Sequence, residues 1–166
     1  CVIKSNNNFV FRSFTLLVAI NNKKCVGKIF YEKGGTTKER MVYFLETQIF
    51  PKYKDHLIIL DNAKSHNNDM VKEAILKSVN KYLFLVPYTP KTNAIEMWFN
   101  QIKTYIKKNR DIYTFEGLDK NIEKAIEKVK PENYKNYFDY AYKTKESLKY
   151  NKNPSTRKCK PKKYKE

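Results

Sequence analysis

Residues 56–66 read HLIILDNAKSH, and residues 82–108 read YLFLVPYTPKTNAIEMWFNQIKTYIKK. In the first stretch, Leu57–Leu60 is aliphatic without any alternation, which predicts a central strand buried on both faces. Asp61 follows directly at the carboxyl end of this strand, where open α/β sheets place their ligand crevices. The stretch therefore predicts a buried strand that presents a carboxylate at the edge of a sheet.

The second stretch predicts a strand over 82–86 and a helix over 94–108. Pro87 ends the strand because proline cannot donate a hydrogen bond to a neighbouring strand. Glu96 lies in the first turn of the helix, about 100° round from a core-facing apolar stripe. The stripe consists of Ile95, Trp98, Phe99, Ile102 and Ile106. A carboxylate at a strand tip and another at the start of a nearby helix can share a Mg²⁺ ion that keeps several waters.

These stretches resemble the second and third catalytic blocks of the Tc1/mariner and IS630 transposases, which are DDE enzymes with a ribonuclease-H-like fold. The resemblance is carried by LDNAKSH at 60–66 and by PYTPKTNAIE at 87–96. Asp61 and Glu96 stand 35 positions apart, so that 34 residues lie between them, which is the Tc1-type spacing. The family usually has Asn-Pro-Ile-Glu where this chain has Asn-Ala-Ile-Glu.

The resemblance covers roughly residues 8–110 and implies an α/β fold in which helices flank a mixed sheet. It implies cleavage at transposon ends and strand transfer into target DNA, with Mg²⁺ or Mn²⁺ as cofactor and Asp61 and Glu96 as catalytic, metal-binding carboxylates. In the family a further catalytic Asp lies on the first strand, whereas residues 1–31 contain no Asp or Glu. We therefore expect that strand and its acid to be missing here, and residues 1–166 to be inactive alone.

Two other functions remain open. In one, the chain is a domesticated or decayed relative that binds DNA without catalysis. In the other, it is a different ribonuclease-H-like nuclease such as a resolvase, against which the Tc1-type spacing and the Asn-Ala-Ile-Glu block argue. Each acid alone also has a structural explanation. Asp often caps a turn or helix, and Glu in a first helical turn interacts favourably with the helix dipole.

Lysine and arginine number 34 against 17 acids, which gives a formal net charge of +17. This excess favours a polyanionic partner, DNA or RNA before membrane, although AT-biased coding would also enrich lysine. Basic residues flank the acidic pair in sequence or helical phase, and the histidine five positions after Asp61 could orient a carboxylate or contact a phosphate. The predicted nucleic-acid-binding residues are Lys64, His66, Lys103, Lys107, Lys108 and Arg110.

The cysteines at positions 1, 25 and 159 have no metal-ligand spacing and indicate a reducing compartment. No stretch resembles a signal peptide, and none approaches the roughly 18 apolar residues of a membrane span. We therefore predict an intracellular protein located with DNA, in the nucleus if the organism is eukaryotic, and without a membrane partner. A homodimer is a further hypothesis.

Local patterns predict the remaining elements. Residues 9–20 and 25–31 predict antiparallel strands, and Thr36 with Glu39 predicts a capping box for the next helix. Another helix is predicted over 69–79. Residues expected to face the core are Met41, Phe44, Leu45 and Ile49 in the first of these helices and Val71, Ile75 and Val79 in the second.

Two further helices are predicted, over 114–130 and from Pro131 onward. These patterns divide the chain into a partial ribonuclease-H-like catalytic core at 1–110, a helical extension at 111–148 and a basic, disordered tail at 149–166.

Overall fold

The structure is a computed structural model that describes residues 14–86, 92–108 and 114–143. The strands are β1 (Thr15–Ile20), β2 (Cys25–Tyr31), β3 (Leu57–Leu60) and β4 (Lys81–Phe84). The helices are α1 (Lys38–Phe44), which continues into a π-helical turn (Leu45–Ile49), α2 (Asp69–Lys77), α3 (Ala94–Lys107), α4 (Phe115–Glu127) and α5 (Pro131–Tyr142). None of the helices in this part of the chain is long and apolar enough to cross a membrane. Arg110 and the tail predicted at 149–166 lie outside the described residues.

β1 and β2 pair as an antiparallel hairpin. The side chain of Asn21 stabilises the turn, since its Oδ1 accepts hydrogen bonds from the backbone N–H groups of Lys23 at 2.9 Å and Lys24 at 2.8 Å. β2 has the predicted bounds. β1 starts at Thr15, and residues 9–13 of the predicted strand fall outside the described residues.

β1 lies between two hydrophobic cores, because successive side chains of a strand point to opposite faces. Leu17 and Ala19 pack into a first core with α1, the π-helical turn, β3 and α2. Val18 and Ile20 pack into a second core with α3, α4 and α5. The hairpin is therefore covered on both faces, as in layered α/β proteins.

β3 and β4 form a parallel pair, with Leu57 opposite Lys81. The prediction that the strand over 57–60 is buried on both faces is wrong: Leu60 is buried, but Leu57 is 54% exposed. Within the described residues β3 pairs with β4 alone, so a run that suits a central strand here forms one half of a two-stranded sheet. β4 ends at Phe84, two residues before the predicted end.

α1 begins one residue later than the predicted capping box. Its cap is Thr37 and not Thr36, because Oγ1 of Thr37 accepts a hydrogen bond from the backbone N–H of Arg40 at 3.2 Å. The extended backbone of Thr37 is the conformation that such a cap requires. The core-facing residues are as predicted, with Met41, Phe44, Leu45 and Ile49 buried.

Gly27 allows β2 to approach the π-helical turn. A Cβ atom at this position would lie 2.9 Å from Cβ of Gln48 and 3.1 Å from Cδ1 of Ile49. The first distance is shorter than real Cβ contacts and the second is tight, so the hairpin and the turn can meet this closely because residue 27 has no side chain.

α2 is capped by Asn68, whose Oδ1 accepts a hydrogen bond from the backbone N–H of Val71 at 3.1 Å. Val71 and Ile75 are buried as predicted. The prediction that Val79 faces inward is wrong, since this residue is 68% exposed. The helix ends at Lys77, and a positive φ of 65° at Val79 turns the chain toward β4.

The second core joins the carboxyl-terminal helices to α3. Trp98 is fully buried, and its indole N–H donates to the hydroxyl of Tyr134 at 3.3 Å. The hydroxyl of Tyr137 donates to Oε1 of Gln101, and burial raises the pKa of Tyr137 to about 12. The helices predicted after residue 114 are confirmed as α4 and α5. The domain boundary predicted at 110 and 111 lies outside the described residues and stays a prediction.

Lys28 connects the hairpin to α4. Its Nζ lies 2.5 Å from Oδ1 of Asp119 and 3.1 Å from Oε1 of Glu123. Burial alone would lower the pKa of Lys28, but the hydrogen bonds to these two carboxylates outweigh burial and raise it. The α4 helix is thus attached to β2 by charge as well as by apolar packing.

Candidate functional site

Asp61 directly follows β3, at the edge where both parallel strands end. Its Oδ1 accepts a hydrogen bond from the backbone N–H of Ala63 at 3.0 Å and lies 2.6 Å from Nδ1 of His66. Because a carboxylate accepts hydrogen bonds, the ring nitrogen is the donor in this contact. Within the part of the chain that the structure describes, both contacts use Oδ1, which leaves Oδ2 open to a ligand. The Asp61 side chain is 50% exposed.

Asparagine side chains hold the loop that follows Asp61, and sequence analysis did not identify them. Nδ2 of Asn62 donates to the backbone carbonyl of Leu85, just after β4. Oδ1 of Asn62 accepts a hydrogen bond from Nδ2 of Asn67 at 3.1 Å. These contacts tie the loop to the neighbouring strand. The preference of asparagine for turns was the available signal, but it does not specify the partner.

Glu96 lies in the first turn of α3, as predicted. Asn93 caps the helix, and its Oδ1 accepts a hydrogen bond from the backbone N–H of Ile95 at 3.4 Å. Ala94 occupies the first helical position, where proline is also favoured, so the departure from Asn-Pro-Ile-Glu keeps the same helix start. Ala94 is buried in the second core, which leaves Glu96 exposed.

Asp61, His66 and Glu96 line one cavity of about 430 Å³. The two carboxylates therefore open into the same space. Carboxylate oxygens are the ligands that Mg²⁺ and Mn²⁺ prefer, and Mg²⁺ sites in proteins commonly combine one or two carboxylates with waters, so the donor chemistry fits. Across residues 14–86, 92–108 and 114–143, no group of three or more His, Cys, Asp or Glu side chains is arranged to hold a metal ion.

The described lysines that were predicted to contact phosphate are all exposed. Lys64 lies in the loop after Asp61. At 3.6 residues per turn, Lys103 and Lys107 return to within about 20° of Glu96 around α3. One face of this helix thus carries an acid at its start and cations along its length. The predicted nucleic-acid-binding residues with described positions are Lys64, His66, Lys103, Lys107 and Lys108, and their DNA-binding role stays a prediction.

Solved structures show the same fold. The catalytic domain of Mos1 mariner transposase has a TM-score of 0.63 at 14% identity, covering 81% of this chain and 79% of that one. A structure of that domain with raltegravir and Mg gives 0.66 at 15% identity, covering 81% and 80%. The Mos1 paired-end complex with the left transposon end gives 0.67 at 15% identity, but this chain spans only 39% of that protein. These similarities confirm the predicted ribonuclease-H-like α/β fold.

Sequence comparison identifies the family. No curated protein sequence matches this chain. The profile of a family described as DDE superfamily endonuclease matches residues 5–119, which is more than half of the 166 residues. The matched region contains both Asp61 and Glu96 and reaches into α4. The chain therefore belongs to the DDE superfamily endonuclease family.

Proposed function

We propose that this chain forms the catalytic core of a Tc1/mariner-type transposase, which cleaves transposon ends and joins them to target DNA. The observation that carries the proposal is that the motif carboxylates Asp61 and Glu96, from different elements, line one cavity. Family membership supports the reaction class. The similar Mos1 proteins include a complex with a transposon end and catalytic domains with Mg or Mn.

In this proposal Asp61 and Glu96 are metal ligands. Bound Mg²⁺ or Mn²⁺ supplies activation of an attacking oxygen and stabilisation of the leaving oxygen in an in-line displacement. His66 and the N–H of Ala63 hold Oδ1 of Asp61, which orients Oδ2 for a ligand. Glu96 takes its position from the start of α3, because Trp98 fixes that helix in the second core.

The DNA backbone lies along the exposed lysines in this proposal. Lys64, Lys103, Lys107 and Lys108, with Arg110, neutralise phosphates and position the duplex without reading its sequence. Such binding is electrostatic, so it needs no metal ion and is retained when Asp61 is changed to Asn.

Catalysis requires a third carboxylate in this proposal. Residues 1–31 contain no Asp or Glu, and the cavity is lined by two described carboxylates. We expect residues 1–166 alone to show no Mg²⁺- or Mn²⁺-dependent nicking of supercoiled plasmid DNA. Adding before residue 1 an apolar strand that carries an Asp should produce nicking. Asp61→Ala or Glu96→Ala should then reduce the rate by roughly a thousandfold, because each removes a metal ligand.

Asp69→Asn is the matched control, since Asp69 is an acid at the start of α2 with a side chain 90% exposed. This variant should nick DNA normally. Nicking that persists in Asp61→Ala would contradict the site assignment. Nicking by residues 1–166 that Asp61→Ala removes would keep the site but overturn the need for a third carboxylate.

A second candidate is a non-catalytic DNA-binding relative. It is favoured by the observation that the described residues contain no group of three metal-binding side chains. Under this candidate the chain binds duplex DNA through its charge of +17, and the version with the added strand also fails to nick DNA.

A further inference from the structure

The start of α3 needs partners for its backbone N–H groups, because the first N–H groups of a helix have no acceptor within the helix. Asn93 serves two of them. Its Oδ1 accepts from the N–H of Ile95 at 3.4 Å, and its backbone carbonyl accepts from the N–H of Glu96 at 3.1 Å. The N–H of Ala94 takes part in neither contact. Ala94 is only 2% exposed, so its N–H requires an acceptor within the protein.

Tyr142, the last residue of α5, provides that acceptor. The backbone N–H of Ala94 donates a hydrogen bond to its hydroxyl oxygen. Burial raises the pKa of Tyr142, and this hydrogen bond offsets part of the rise because it favours the deprotonated form. The ring of Tyr142 packs edge-on against Phe138, with ring centres 5.6 Å apart. Both rings line the cavity that Asp61 and Glu96 also line, so α5 meets the first turn of α3 beside the two carboxylates.

Position 94 is also where this chain departs from the Asn-Pro-Ile-Glu motif. Proline has no N–H and therefore needs no acceptor, whereas alanine adds a buried donor that the Tyr142 hydroxyl satisfies. The backbone of Asn93, with φ −111° and ψ 102°, is close to the extended conformation that precedes proline, so this helix start suits either residue. A proline ring would occupy the space into which the N–H of Ala94 points. Proline and the Tyr142 hydroxyl are thus alternative ways to complete the same helix start.

We propose that Tyr142 is a positioning residue for Glu96. Its hydroxyl accepts the N–H of Ala94 and fixes the first turn of α3, which holds the Glu96 carboxylate at the cavity that Asp61 also lines. The part of this inference that treats Glu96 as a metal ligand rests on the proposed function. The family profile matches residues 5–119, so the family pattern does not include Tyr142.

Amide hydrogen exchange tests the contact without metal or DNA. The measurement is nuclear magnetic resonance on ¹⁵N-labelled residues 1–166. Tyr142→Phe keeps the ring and removes the hydroxyl, so the amide of Ala94 should exchange roughly tenfold faster in this variant. Tyr140→Phe is the matched control, because Tyr140 belongs to the same helix, is 59% exposed and does not line the cavity. Equal exchange of the Ala94 amide in Tyr142→Phe and in the unmodified chain would overturn the proposal.

Mn²⁺ affinity tests the positioning of Glu96. Titration of residues 1–166 followed by electron paramagnetic resonance should show roughly three- to tenfold weaker binding for Tyr142→Phe, the range expected for the loss of one hydrogen bond. Tyr140→Phe should bind as the unmodified chain does. A residue that only stabilised the fold would lower the temperature of unfolding and leave the Mn²⁺ affinity of the folded chain unchanged.

Ala94→Pro determines whether the effect passes through the N–H. This substitution removes the donor, so adding Tyr142→Phe to Ala94→Pro should cause no further loss of Mn²⁺ affinity. An equal loss from Tyr142→Phe with and without Ala94→Pro would overturn the proposal. Thermal unfolding followed by circular dichroism establishes that each variant is folded. If Ala94→Pro unfolds, amide exchange and Mn²⁺ affinity in the two tyrosine variants decide the question alone.

Failure of the proposed function would look different. Mn²⁺ binding that Asp61→Ala leaves unchanged would count against the proposed function and against Glu96 as a metal ligand, while exchange of the Ala94 amide would still decide the contact with Tyr142. Mn²⁺ binding that Asp61→Ala removes but Tyr142→Phe leaves unchanged would overturn the positioning role and keep the proposed function.

Discussion

The two ends of the β3 and β4 pair use polar residues in opposite ways. At the amino end, the side chain of Asn80 is buried, with 2% of the residue exposed. Its Oδ1 accepts a hydrogen bond from the backbone N–H of His56 at 2.9 Å. Its Nδ2 donates to the carbonyl of Tyr53 at 3.1 Å and to Oγ of Ser78 at 2.8 Å. At the carboxyl end, Asp61 is exposed and opens into a cavity. Buried, fully paired polar groups stabilise a fold, whereas an exposed carboxylate with an unused oxygen is suited to a ligand.

The largest effect on stability is expected at the amino end. Asn80→Ala removes a hydrogen-bond partner from the part-buried N–H of His56, the part-buried carbonyl of Tyr53 and the buried hydroxyl of Ser78. A fully buried group left without its partner costs about 1–3 kcal/mol, and a part-buried group costs less because water can reach it. We expect the free energy of unfolding to fall by about 2–4 kcal/mol, measured by urea denaturation. Asn67→Ala, at an exposed position in the loop after Asp61, is the control and should change it far less. Equal losses in the two variants would remove the distinction between the two ends.

Local sequence patterns predicted the carboxyl end of the pair well. The aliphatic run 57–60 and the apolar period of α3 are properties of adjacent residues, so they locate a strand tip and a first helical turn without knowledge of the rest of the fold. Asp61 and Glu96 follow from those two positions. The family motif then supplied their chemistry.

The amino end could not be predicted in the same way. The burial of Asn80 depends on partners 24 and 27 positions away in sequence, at His56 and Tyr53. The same applies to Val79, which continues the apolar period of α2 but adopts a positive φ because the chain must turn there into β4. The exposure of Leu57 likewise depends on which strands lie beside β3, which periodicity does not report.

His66 is expected to act as a positioning residue for Asp61. His66→Ala removes the 2.6 Å contact to Oδ1, and loss of a side chain that orients a metal ligand typically weakens metal binding by roughly 10–100-fold. Mn²⁺ titration followed by electron paramagnetic resonance should show a loss of about tenfold. Partial rescue by His66→Asn, whose Nδ2 can donate from the position of the histidine Nδ1, would separate positioning from a general loss of structure.

His56→Ala is the matched control at the opposite end of β3. Nδ1 of His56 lies 2.6 Å from the carbonyl oxygen of Lys54, so this ring is hydrogen-bonded to the backbone. Its removal should leave Mn²⁺ affinity unchanged. An equal loss of affinity in both variants would mean that His66 acts through stability and not through Asp61.

Substituting the exposed lysines of α3 is expected to have a smaller effect, on the affinity for DNA. Lys103→Ala combined with Lys107→Ala should lower the slope of log affinity against log salt by about 1.8, since each phosphate contact contributes about 0.9. The measurement is anisotropy of a labelled duplex at several salt concentrations without metal. Lys77→Ala is the control, because Lys77 belongs to α2, which packs on the opposite face of the hairpin from α3. A flat salt response in the unmodified chain would remove the electrostatic argument.

The smallest effect on stability is expected at Asp61 itself, although its effect on catalysis should be the largest. Asn at position 61 keeps an oxygen that can accept a hydrogen bond from the N–H of Ala63. The side chain is half exposed, so water can compensate for the weaker interaction with His66. Removing one negative charge from the cavity that Glu96 also lines should offset part of any cost. We therefore expect Asp61→Asn to change the free energy of unfolding by less than about 0.5 kcal/mol in urea, with duplex affinity in EDTA retained. A loss as large as that of Asn80→Ala would show that Asp61 stabilises the loop after β3, and the contrast between the two ends of the strand pair would then no longer distinguish a structural site from a catalytic one.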